Sequence, residues 1–462
     1  MNGDIAMIRP WLASILLLPF CAPMAWSQSA ATSTPSIVAT LNAGIDADTG
    51  RLVGIYKDLH QNPELAFMEV RTADIVAKEL RALGYDVQTG IAKTGVVGIM
   101  KNGDGPVVMY RGDMDCNAVK EATGLPYAST KRMIRKNSAG QDEDVPVMHA
   151  CGHDAHITWL LGVAKAFAST KSEWKGTLVF LAQPAEEVIL GAKAMVKDGM
   201  YAKHGVPKPD YLVVLHTTSR VATGAVIATP GERMAGTAQL DVTFHGIGGH
   251  GSSPHLAKDP VVMAATAIMD YQTIVSRRID PLHAAVVTVG AVQAGTDNNV
   301  IPPSALLKVN LRWYDEKDRE LMLDSIERIN QSIADSYNLP KELRPTTVMK
   351  GNSTVLINDA ESLEIVTPVL QSLLGEKNVI VDAPKRMGSE DAHLLVGENE
   401  TKRVVYVDVG TAKPDHVKKA QAQGKEIPYS NHNPDYQVDL DAIPLGTKIG
   451  VAAVLALLAK SP

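Results

Sequence analysis

The sequence predicts an α/β protein of two domains, and three observations support this expectation. Helix and strand patterns alternate from about residue 45 to 230, and the strands are apolar runs that end in polar residues. A second region, roughly 235 to 348, has the order strand, helix, strand, strand, helix, which indicates a small α+β domain inserted into the larger one. The 462 residues also exceed what one hydrophobic core usually holds, which is about 250 to 300 residues.

The composition is that of an ordinary globular protein. Hydrophobic residues make up 45% of the chain and charged residues 21%, and the formal net charge is -6. Proteins that bind nucleic acids carry a basic surface, which this charge balance does not indicate. We therefore expect no nucleic-acid partner.

The first thirty residues have the layout of a secretory signal. Arg9 precedes the apolar run WLASILLLPFCAPMAW, and the small and polar residues SQSAATSTPS follow it, with cleavage expected near Ser27 or Ala30. A membrane anchor is the alternative, but two prolines interrupt the run, which is short for a span. We expect the segment 1–30 to be removed and the protein to be periplasmic or secreted, without a stable membrane anchor.

Four segments of the first region contain the elements on which a site can be built. The helical spacing of RTADIVAKELRALG (71–84) ends at a glycine, as helices often do. The segments PVVMYRGDMD (106–115), TLVFLAQPAEE (177–187) and YLVVLHTT (211–218) are apolar strands that end in Asp, Glu or His and Thr. Because open α/β sheets bind ligands at the carboxyl ends of their strands, we expect the chemistry at this edge.

The second region contributes three strands and two helices, and the larger domain then resumes. In chain order these elements are TAQLDVTFHG, DPVVMAATAIMDYQTIVSRR, AAVVTVGAVQAG, SALLKVNLRW and DRELMLDSIERINQSIADSY. A long helix from about 441 to 459 closes the chain, and the polar, basic segment 410–430 indicates a loop. The predicted larger domain is therefore discontinuous, 40–234 and 349–462, and the insertion is 235–348.

The stretch HGIGGHG, residues 245–251, contains the G-x-G-x-x-G pattern of dinucleotide-binding folds. That fingerprint requires a helix immediately after the glycines and an acidic residue about 20 positions further on. Here two prolines defer the helix to about residue 260, and Asp270 falls in the middle of that helix. We therefore expect the flexible backbone around His250 to serve another purpose.

Residues that commonly bind metal ions lie at the predicted strand ends. The segment MHACGHDAH contains Cys151 and His153, which are both good ligands for Zn²⁺. The segment QPAEE places Glu186 and Glu187 side by side after a buried strand. Adjacent carboxylates point in different directions, so one can bind a metal ion while the other faces a bound water.

Two further histidines enlarge this candidate ligand set. His216 follows the apolar run LVVL, and His432 lies in SNHNPDY before the last helix. These donors are sufficient for a two-metal site, whose ions commonly lie about 3.5–4 Å apart. Zn²⁺ suits thiolate, imidazole and carboxylate ligands best, and Mn²⁺, Co²⁺ and Ni²⁺ are alternatives. The other use of Cys151 in an exported protein is a disulfide with Cys116.

Taken together, these motifs resemble the aminoacylase, hippurate hydrolase and indole-acetyl-amino-acid hydrolase group of co-catalytic metallopeptidases. The resemblance covers nearly the whole mature chain, in the family's order, through HQNPELAF, RGDMD, MHACGHDAH, FLAQPAEE, GGHGSSPH, NNVIPP, GSED and HNPDY. It implies a zinc-peptidase-like catalytic domain with a central mixed sheet and an inserted ferredoxin-like lid and dimerisation domain. It also implies a homodimer or a higher homo-oligomer.

The resemblance also implies a role for each candidate residue. Glu186 matches the general base, which takes a proton from metal-activated water and returns it to the leaving nitrogen. Asp113 matches a supporting carboxylate behind the metal site, and His250 matches a lid histidine that stabilises the oxyanion, often across a dimer interface. Two divalent ions are implied, and their ligands match Cys151, His153, Glu187, His216 and His432. Cys151 would bridge the ions and so would not form a disulfide.

Four residues match positions that contact the substrate, namely Asn299, Arg312, Gly388 and Ser389. Arg312 is the best candidate to hold a substrate carboxylate, because a guanidinium can make two parallel hydrogen bonds to it. A structural ion pair within its strand is the alternative. The implied reaction is hydrolysis of the amide bond of N-acyl amino acids or short peptides.

Several positions depart from the family pattern. Cys116 stands where the family often has alanine, VILGA follows QPAEE in place of a glycine-rich run, and Ala392 replaces an aromatic residue after GSED. The segments 131–145 and 410–430 are longer than usual. These changes fall on pocket walls rather than on ligands, so they affect the choice of substrate and not the reaction.

Two other functions are compatible with parts of the sequence. A serine hydrolase using Ser252 or Ser253 would need a G-x-S-x-G elbow, which the chain lacks. An exported protein that binds metal ions or peptides without catalysis would need the ligands but not Glu186, so the presence of Glu186 favours an enzyme.

Overall fold

The computed structural model describes residues 34–137, 140–397 and 403–459. The predicted signal segment, residues 1–30, lies outside these ranges. Within them, no helix combines the length and the apolar character needed to cross a membrane.

The first part of the larger domain contributes most of its central sheet. Its elements are α1 (Thr34–Gln61), α2 (Val70–Ala82), β1 (Asp86–Ile91), β2 (Gly95–Asn102), β3 (Val107–Asp113), β4 (Arg132–Lys136), β5 (Asp142–Pro146), α3 (His153–Ser169), β6 (Gly176–Gln183), α4 (Gly191–Lys197), β7 (Tyr211–Ala222), β8 (Val226–Ile227) and β9 (Gly231–Met234). The predicted helix 71–84 and the three predicted strands correspond to α2, β3, β6 and β7.

The insertion follows, and the chain then returns to the larger domain. The insertion contains β10 (Gly236–His245), β11 (Gly249–His250), α5 (Pro260–Arg277), β12 (Val286–Ala294), β13 (Val300–Ile301), β14 (Ser304–Trp313), α6 (Glu316–Ser336) and β15 (Thr346–Ser353). The return contains β16 (Leu356–Asn358), α7 (Ala360–Leu374), β17 (Val379–Ile380), β18 (Val404–Ala412), α8 (Pro414–Ala422) and α9 (Ala442–Leu458).

Eight strands form the central sheet, in the order β1-β2-β6-β3-β7-β18-β8-β17. The strands β6, β3, β7 and β18 are parallel, whereas β1 and β2 are antiparallel at one edge, so the sheet is mixed as predicted. Every residue of β18 is buried, because helices such as α3 and α9 cover one face and α4 covers part of the other. Parallel strands usually have this environment.

The strand register places the candidate residues at one edge of the sheet. Asp113 is the last residue of β3. In the parallel pair of β3 and β7, Arg111 is opposite Val214, so two residues further along each strand His216 lies near the level of Asp113. The prediction that the strand ends near His216 is wrong, since β7 continues to Ala222. His216 is therefore held within a strand, which fixes its backbone more firmly than a loop would.

The insertion has its own sheet and its own core. The strand order β12-β14-β10-β15 is antiparallel throughout, and α5 and α6 pack on one face. The burial of β14 alternates along its length, as expected when one face of a strand packs on helices. The last strand, β15, extends beyond residue 348, where the sequence placed the end of this domain.

The glycine-rich stretch does not lead directly into a helix. A short 3₁₀ turn at Pro254–Leu256 follows it, and α5 begins only at Pro260, capped by the Asp259 side chain, which accepts a 2.8 Å hydrogen bond from the Val261 amide. Asp270 lies inside α5, as the sequence predicted. The arrangement required for dinucleotide binding is therefore not formed by this stretch.

Two segments predicted to be loops contain regular structure. Part of the segment 410–430 forms α8, which begins at Pro414 and buries only Val417 and Ala420, so it has little apolar periodicity to reveal it. The long segment 131–145 contains the antiparallel hairpin β4–β5. The prediction of loop structure was wrong for α8.

Candidate metal centre

The five predicted metal ligands come together at the edge of the central sheet. They form two overlapping groups, Cys151 with His153 and His216, and Cys151 with Glu187 and His432. In each group the candidate ligand atoms lie within 4.8 Å of one another. Because Cys151 belongs to both groups, its sulfur is placed where it can bridge two ions.

A left-handed glycine aims Cys151 and His153 at the same point. Gly152 has φ 79°, and a Cβ there would lie 2.5 Å from the Thr217 hydroxyl oxygen, so the backbone requires glycine. The Thr217 hydroxyl donates a 2.8 Å hydrogen bond to the Cys151 carbonyl, and α3 begins at His153. Trp159, fully buried, packs α3 against Gly446 of α9 and so fixes the direction of the helix.

The adjacent glutamates sit in a turn with unusual backbone geometry after β6. Ala185 and Ile189 have φ of 54° and 56°, values that non-glycine residues adopt at a cost in energy. The two carboxylate oxygens of Asp115 accept hydrogen bonds from the amides of Glu186 and Glu187, each 3.0 Å long. Asp115 therefore holds the turn and directs the two carboxylates to different places.

His432 reaches the centre from a distant part of the chain. Its backbone has φ 66°, and its amide donates a 2.7 Å hydrogen bond to the Ala150 carbonyl. The imidazole Nε2 lies 3.3 Å from Glu187 Oε2. A strained backbone that is fixed in this way is typical of residues that position a functional group.

The electrostatics of the cluster favour the thiolate form of Cys151. Burial alone would raise the pKa of this thiol, but His216, His153 and His432 lower it well below its usual value. Burial lowers the pKa of His216, but the Cys151 charge outweighs this and raises the pKa to about 9. The cluster thus stabilises the form of cysteine that binds metal ions.

Several buried polar atoms in the cluster have unsatisfied hydrogen-bonding capacity. Neither ring nitrogen of His153 makes a hydrogen bond of good geometry to the residues that the structure describes, and the same holds for Glu187 Oε1. Buried polar atoms are normally paired, and a metal ion is one partner that satisfies them. Cys116 and Cys151 are both free thiols, so the disulfide alternative is wrong for this pair. The donor set therefore fits divalent metal ions.

Asp113 lies behind the ligands as a charged support. Its Oδ1 is 2.6 Å from His156 Nδ1, and its Oδ2 is 2.7 Å from Arg111 Nη1 and 3.4 Å from His153 Nε2. Burial raises the pKa of Asp113, but Arg111 and the two histidines hold it well below its usual range. An ionised carboxylate of this kind orients imidazoles and increases their basicity as ligands.

Sequence reasoning missed a buried ionic network beneath Glu186. Arg111 is completely buried, and its Nη2 lies 2.8 Å from Glu390 Oε1. Glu186, Glu390 and Asp391 bring their carboxylates within 4.8 Å of one another. Burial and the charges of Glu390 and Glu187 raise the pKa of Glu186 well above its usual value. The segments RGDMD and GSED contain these residues, but only their contact across the fold reveals the network.

A cavity of about 840 Å³ lies at the metal centre and is lined by Cys151, Glu186 and His216. Three of the four predicted substrate residues also line it, namely Arg312, Gly388 and Ser389. The Arg312 Nε donates a 2.8 Å hydrogen bond to Asn310 Oδ1. Arg312 forms no salt bridge with residues in the described ranges, so the structural ion pair is not seen there. Its remaining donors are therefore available to a ligand in the cavity.

His250 and Asn299 lie elsewhere in the single chain. Both are exposed in the insertion, where His250 on β11 pairs with Val300 on β13. The Nδ1 of His250 is 2.8 Å from the Ser252 hydroxyl, and neither His250 nor Asn299 lines the cavity of the metal centre. The chain by itself does not bring these two predicted residues to the ligands.

A buried histidine links the segment HQNPELAF to the metal-binding segment. His60 is 1% exposed, its Nδ1 lies 2.6 Å from Asp154 Oδ2, and its Nε2 lies 3.1 Å from Glu121 Oε1. Burial lowers the pKa of His60, but Asp154 and Glu121 outweigh it and raise the pKa from 6.5 to about 9.

We predict that His60 makes stability depend on pH. Because its pKa is higher in the folded state, its stabilising effect is complete below pH 6.5 and is lost as the pH rises through about 9. The shift corresponds to about 3 kcal/mol of unfolding free energy. The free energy of unfolding, measured with urea near pH 6 and near pH 10, should therefore fall more between these two values in the wild type than in His60→Gln. The exposed His255→Gln variant should behave like the wild type, and equal losses in all three proteins would contradict the assignment.

Fold and site together define a metal-dependent hydrolase. A thiolate, three imidazoles and a carboxylate converge beside a second buried carboxylate, Glu186, and all of these groups except His153 line one cavity. Such an arrangement suits the cleavage of an amide bond by activated water.

The chain belongs to peptidase family M20/M25/M40, whose model matches residues 109–456. It is 37% identical over 343 residues to the hippurate hydrolase of Campylobacter jejuni, covering 74% of this chain and 84% of that protein. It is 32% identical over 346 residues to the N-acetyl-L-cysteine deacetylase of Bacillus subtilis, covering 75% of this chain and 77% of that protein. A dinuclear metal-binding M20 peptidase from Bacillus subtilis has a similar structure, with a TM-score of 0.66 and 26% identity over 89% of this chain and 99% of that chain. The protein is thus a hydrolase of the amidohydrolase and carboxypeptidase type.

Proposed function

We propose that this protein hydrolyses the amide bond of N-acyl amino acids or short peptides that carry a free carboxylate next to the bond. The observation that carries this proposal is the pair of ligand groups that share Cys151, with Glu186 beside them and Arg312 in the same cavity. The ligands supply the metal site, Glu186 supplies a proton acceptor, and Arg312 supplies a partner for the carboxylate.

Two divalent ions would be held by Cys151, His153, Glu187, His216 and His432. Zn²⁺ suits this donor set best, and Mn²⁺, Co²⁺ and Ni²⁺ are the alternatives. Bound ions supply Lewis-acid chemistry, because they polarise the amide carbonyl and lower the pKa of water. Asp113 and Asp115 orient the ligands.

Glu186 is assigned the role of general base and then of general acid. It is buried, and its Oε2 lies 3.8 Å from His153 Nε2, so it is next to the ligands. A carboxyl group whose pKa is raised by burial can take a proton from water and give it to the leaving nitrogen. The Glu390 carboxylate, which Arg111 binds, lies close to that of Glu186 and helps to raise its pKa.

The cavity wall beside His216 carries excess positive charge, which favours an anionic substrate. Arg233 and Arg386 share one carboxylate, Asp408, which lies 2.5 Å from Arg233 Nη2. Two guanidinium groups on one carboxylate leave one net positive charge. Together with Arg312, this charge would attract and hold the carboxylate of the leaving amino acid, and Gly388 and Ser389 would supply neutral contacts.

The insertion 235–348 would act as the lid, and a second copy of the chain would complete the site with His250 and Asn299. Neither residue lines the metal-centre cavity of its own chain, which agrees with a contribution to the partner's site. The insertion also exposes large apolar side chains, and they include Leu256, Met269, Leu282 and Val300. A homodimer formed through this domain would cover such surface. The apolar run before residue 30 supports export to the periplasm or the medium.

The test of this function combines metal analysis with a substrate panel. We expect about two divalent ions per chain and hydrolysis of N-acyl amino acids that stops on chelation and returns on adding Zn²⁺ or Mn²⁺. Dipeptides with a blocked carboxyl terminus should be poor substrates, because Arg312 would lose its partner. If no member of the panel is hydrolysed with any of these ions, a non-catalytic binding protein on the same fold becomes the better interpretation.

A further inference from the structure

A second cavity, of about 550 Å³, lies beside the metal centre and is not used by the chemistry described above. Its size falls within the usual range for small-molecule pockets, roughly 300 to 1,000 Å³. It is formed by the segment after α1, the segment after β3, the hairpin β4–β5 and the turn after β6. Its apolar wall includes Leu65, Met68, Cys116, Ala118, Ile134 and Val188.

The two cavities meet at Glu187, which lines both of them. The Oε2 of Glu187 faces His432 at 3.3 Å, and its neighbour Val188 lies in the wall of the second cavity. Both cavities are therefore next to the metal ligands. A substrate whose amide bond lies at these ligands can place one half in each cavity.

The charges of the two cavities differ, and this difference orients the substrate. The first cavity contains Arg312 and the excess charge of the Arg233 and Arg386 pair. The cations of the second cavity, Arg135 and Lys136, are paired across the hairpin: the Arg135 Nε lies 2.9 Å from a Glu143 carboxylate oxygen, and the Lys136 Nζ lies 2.8 Å from a carboxylate oxygen of Asp142. The carboxylate half of the substrate is thus attracted to the first cavity, and the acyl half is left for the apolar one.

The apolar wall is built from separate parts of the chain. Cys116 follows β3, Ile134 lies on β4 and Val188 follows β6. Side chains that are distant in sequence therefore meet at one cavity. Met68 and Ile134 are 40% and 51% exposed, so apolar surface is open to a ligand there.

We propose that the second cavity binds the acyl group of the substrate, and that Met68, Cys116 and Ile134 make it select apolar acyl groups larger than acetyl. The aromatic benzoyl group and medium-chain fatty acyl groups are of this class. Covering the exposed apolar surface favours such groups by about 25 cal/mol for each Å² removed from water. The inference rests on the proposed function, since it assumes that the amide bond is held at the metal centre.

The test measures kcat/KM for the N-benzoyl and the N-acetyl derivative of one amino acid. We expect Met68→Gln with Ile134→Asn to lower the benzoyl-to-acetyl ratio by about 10-fold or more, a change typical of lost apolar contacts. Ala118→Phe, which fills the cavity, should lower the same ratio. The matched control is Met349→Gln, because Met349 is 41% exposed and lines neither cavity. Its ratio should equal that of the wild type.

A ratio that stays at the wild-type value in the cavity variants would overturn the acyl-site proposal and leave the hydrolase function intact. If the wild type hydrolyses neither compound, the proposed function fails. Calorimetry then tests the cavity separately, by measuring how tightly each variant binds the N-benzoyl derivative. Weaker binding in the Met68→Gln, Ile134→Asn protein than in Met349→Gln would support the cavity. Equal binding in these two variants would overturn it.

Discussion

Replacing Glu186 with Gln is expected to lower kcat on the order of 10² to 10⁴-fold, which is the usual contribution of general acid–base catalysis. The amide has the shape of the carboxylate but cannot accept the proton. Glu186 belongs to neither of the ligand groups that contain Cys151, so the variant should keep its metal ions. Steady-state kinetics and metal analysis on the same preparation measure the two effects separately.

The stability of this variant provides an independent check. Burial and the charges of Glu390 and Glu187 disfavour the charged form of Glu186, so a neutral side chain should leave the melting temperature unchanged or higher. The matched control is Glu426→Gln, because Glu426 is an exposed glutamate on the rim of the same cavity. Wild-type kcat in Glu186→Gln, with full metal content, would show that another group moves the proton.

Much of the fold and the ligand set could be predicted because the signals are local. Apolar runs of strand length ending in QPAEE or RGDMD mark parallel strands whose carboxyl ends share one edge of the sheet. MHACGHDAH shows Cys151 and His153 as close neighbours at the start of a helix, although it is the left-handed Gly152 between them that aims both side chains at one point. His432, by contrast, is far along the chain, so the sequence offers it as a candidate ligand and only the fold brings it to the others.

The supporting residues could not be found in this way, because their contacts join distant parts of the chain. Arg111 and Glu390 are 279 positions apart, and no local pattern indicates that they meet. Asp115 was missed although it is two positions from Asp113, because its function is to accept backbone hydrogen bonds from a turn formed 71 positions later. Through these hydrogen bonds Asp115 fixes the backbone of Glu186 and Glu187.

The insertion shows a different limit of structure prediction from the sequence. Its strands and helices follow from clear periodicity, and α5 begins where the prolines indicate. The place of His250 relative to the ligands does not follow from that pattern, because it depends on how two domains or two chains approach one another. The helix α8 was missed for a simpler reason, since only Val417 and Ala420 of its side chains are buried.

Replacing Cys151 with Ala is expected to remove both metal ions and to abolish measurable hydrolysis. The thiolate belongs to both ligand groups, so its loss removes a ligand from each ion at once. By contrast, loss of His216 or His432 alone should weaken mainly one ion, because each belongs to one group. Metal content after dialysis, measured by mass spectrometry, should therefore fall further in Cys151→Ala than in either single histidine variant.

The matched control for this experiment is Cys116→Ala, which removes the same atom from another buried cysteine of the same domain. Cys116 belongs to neither ligand group, so its variant should retain about the wild-type metal content. Two tightly bound ions in Cys151→Ala would show that the sulfur does not bridge them, and the assignment of Cys151 to both metal positions would then be wrong.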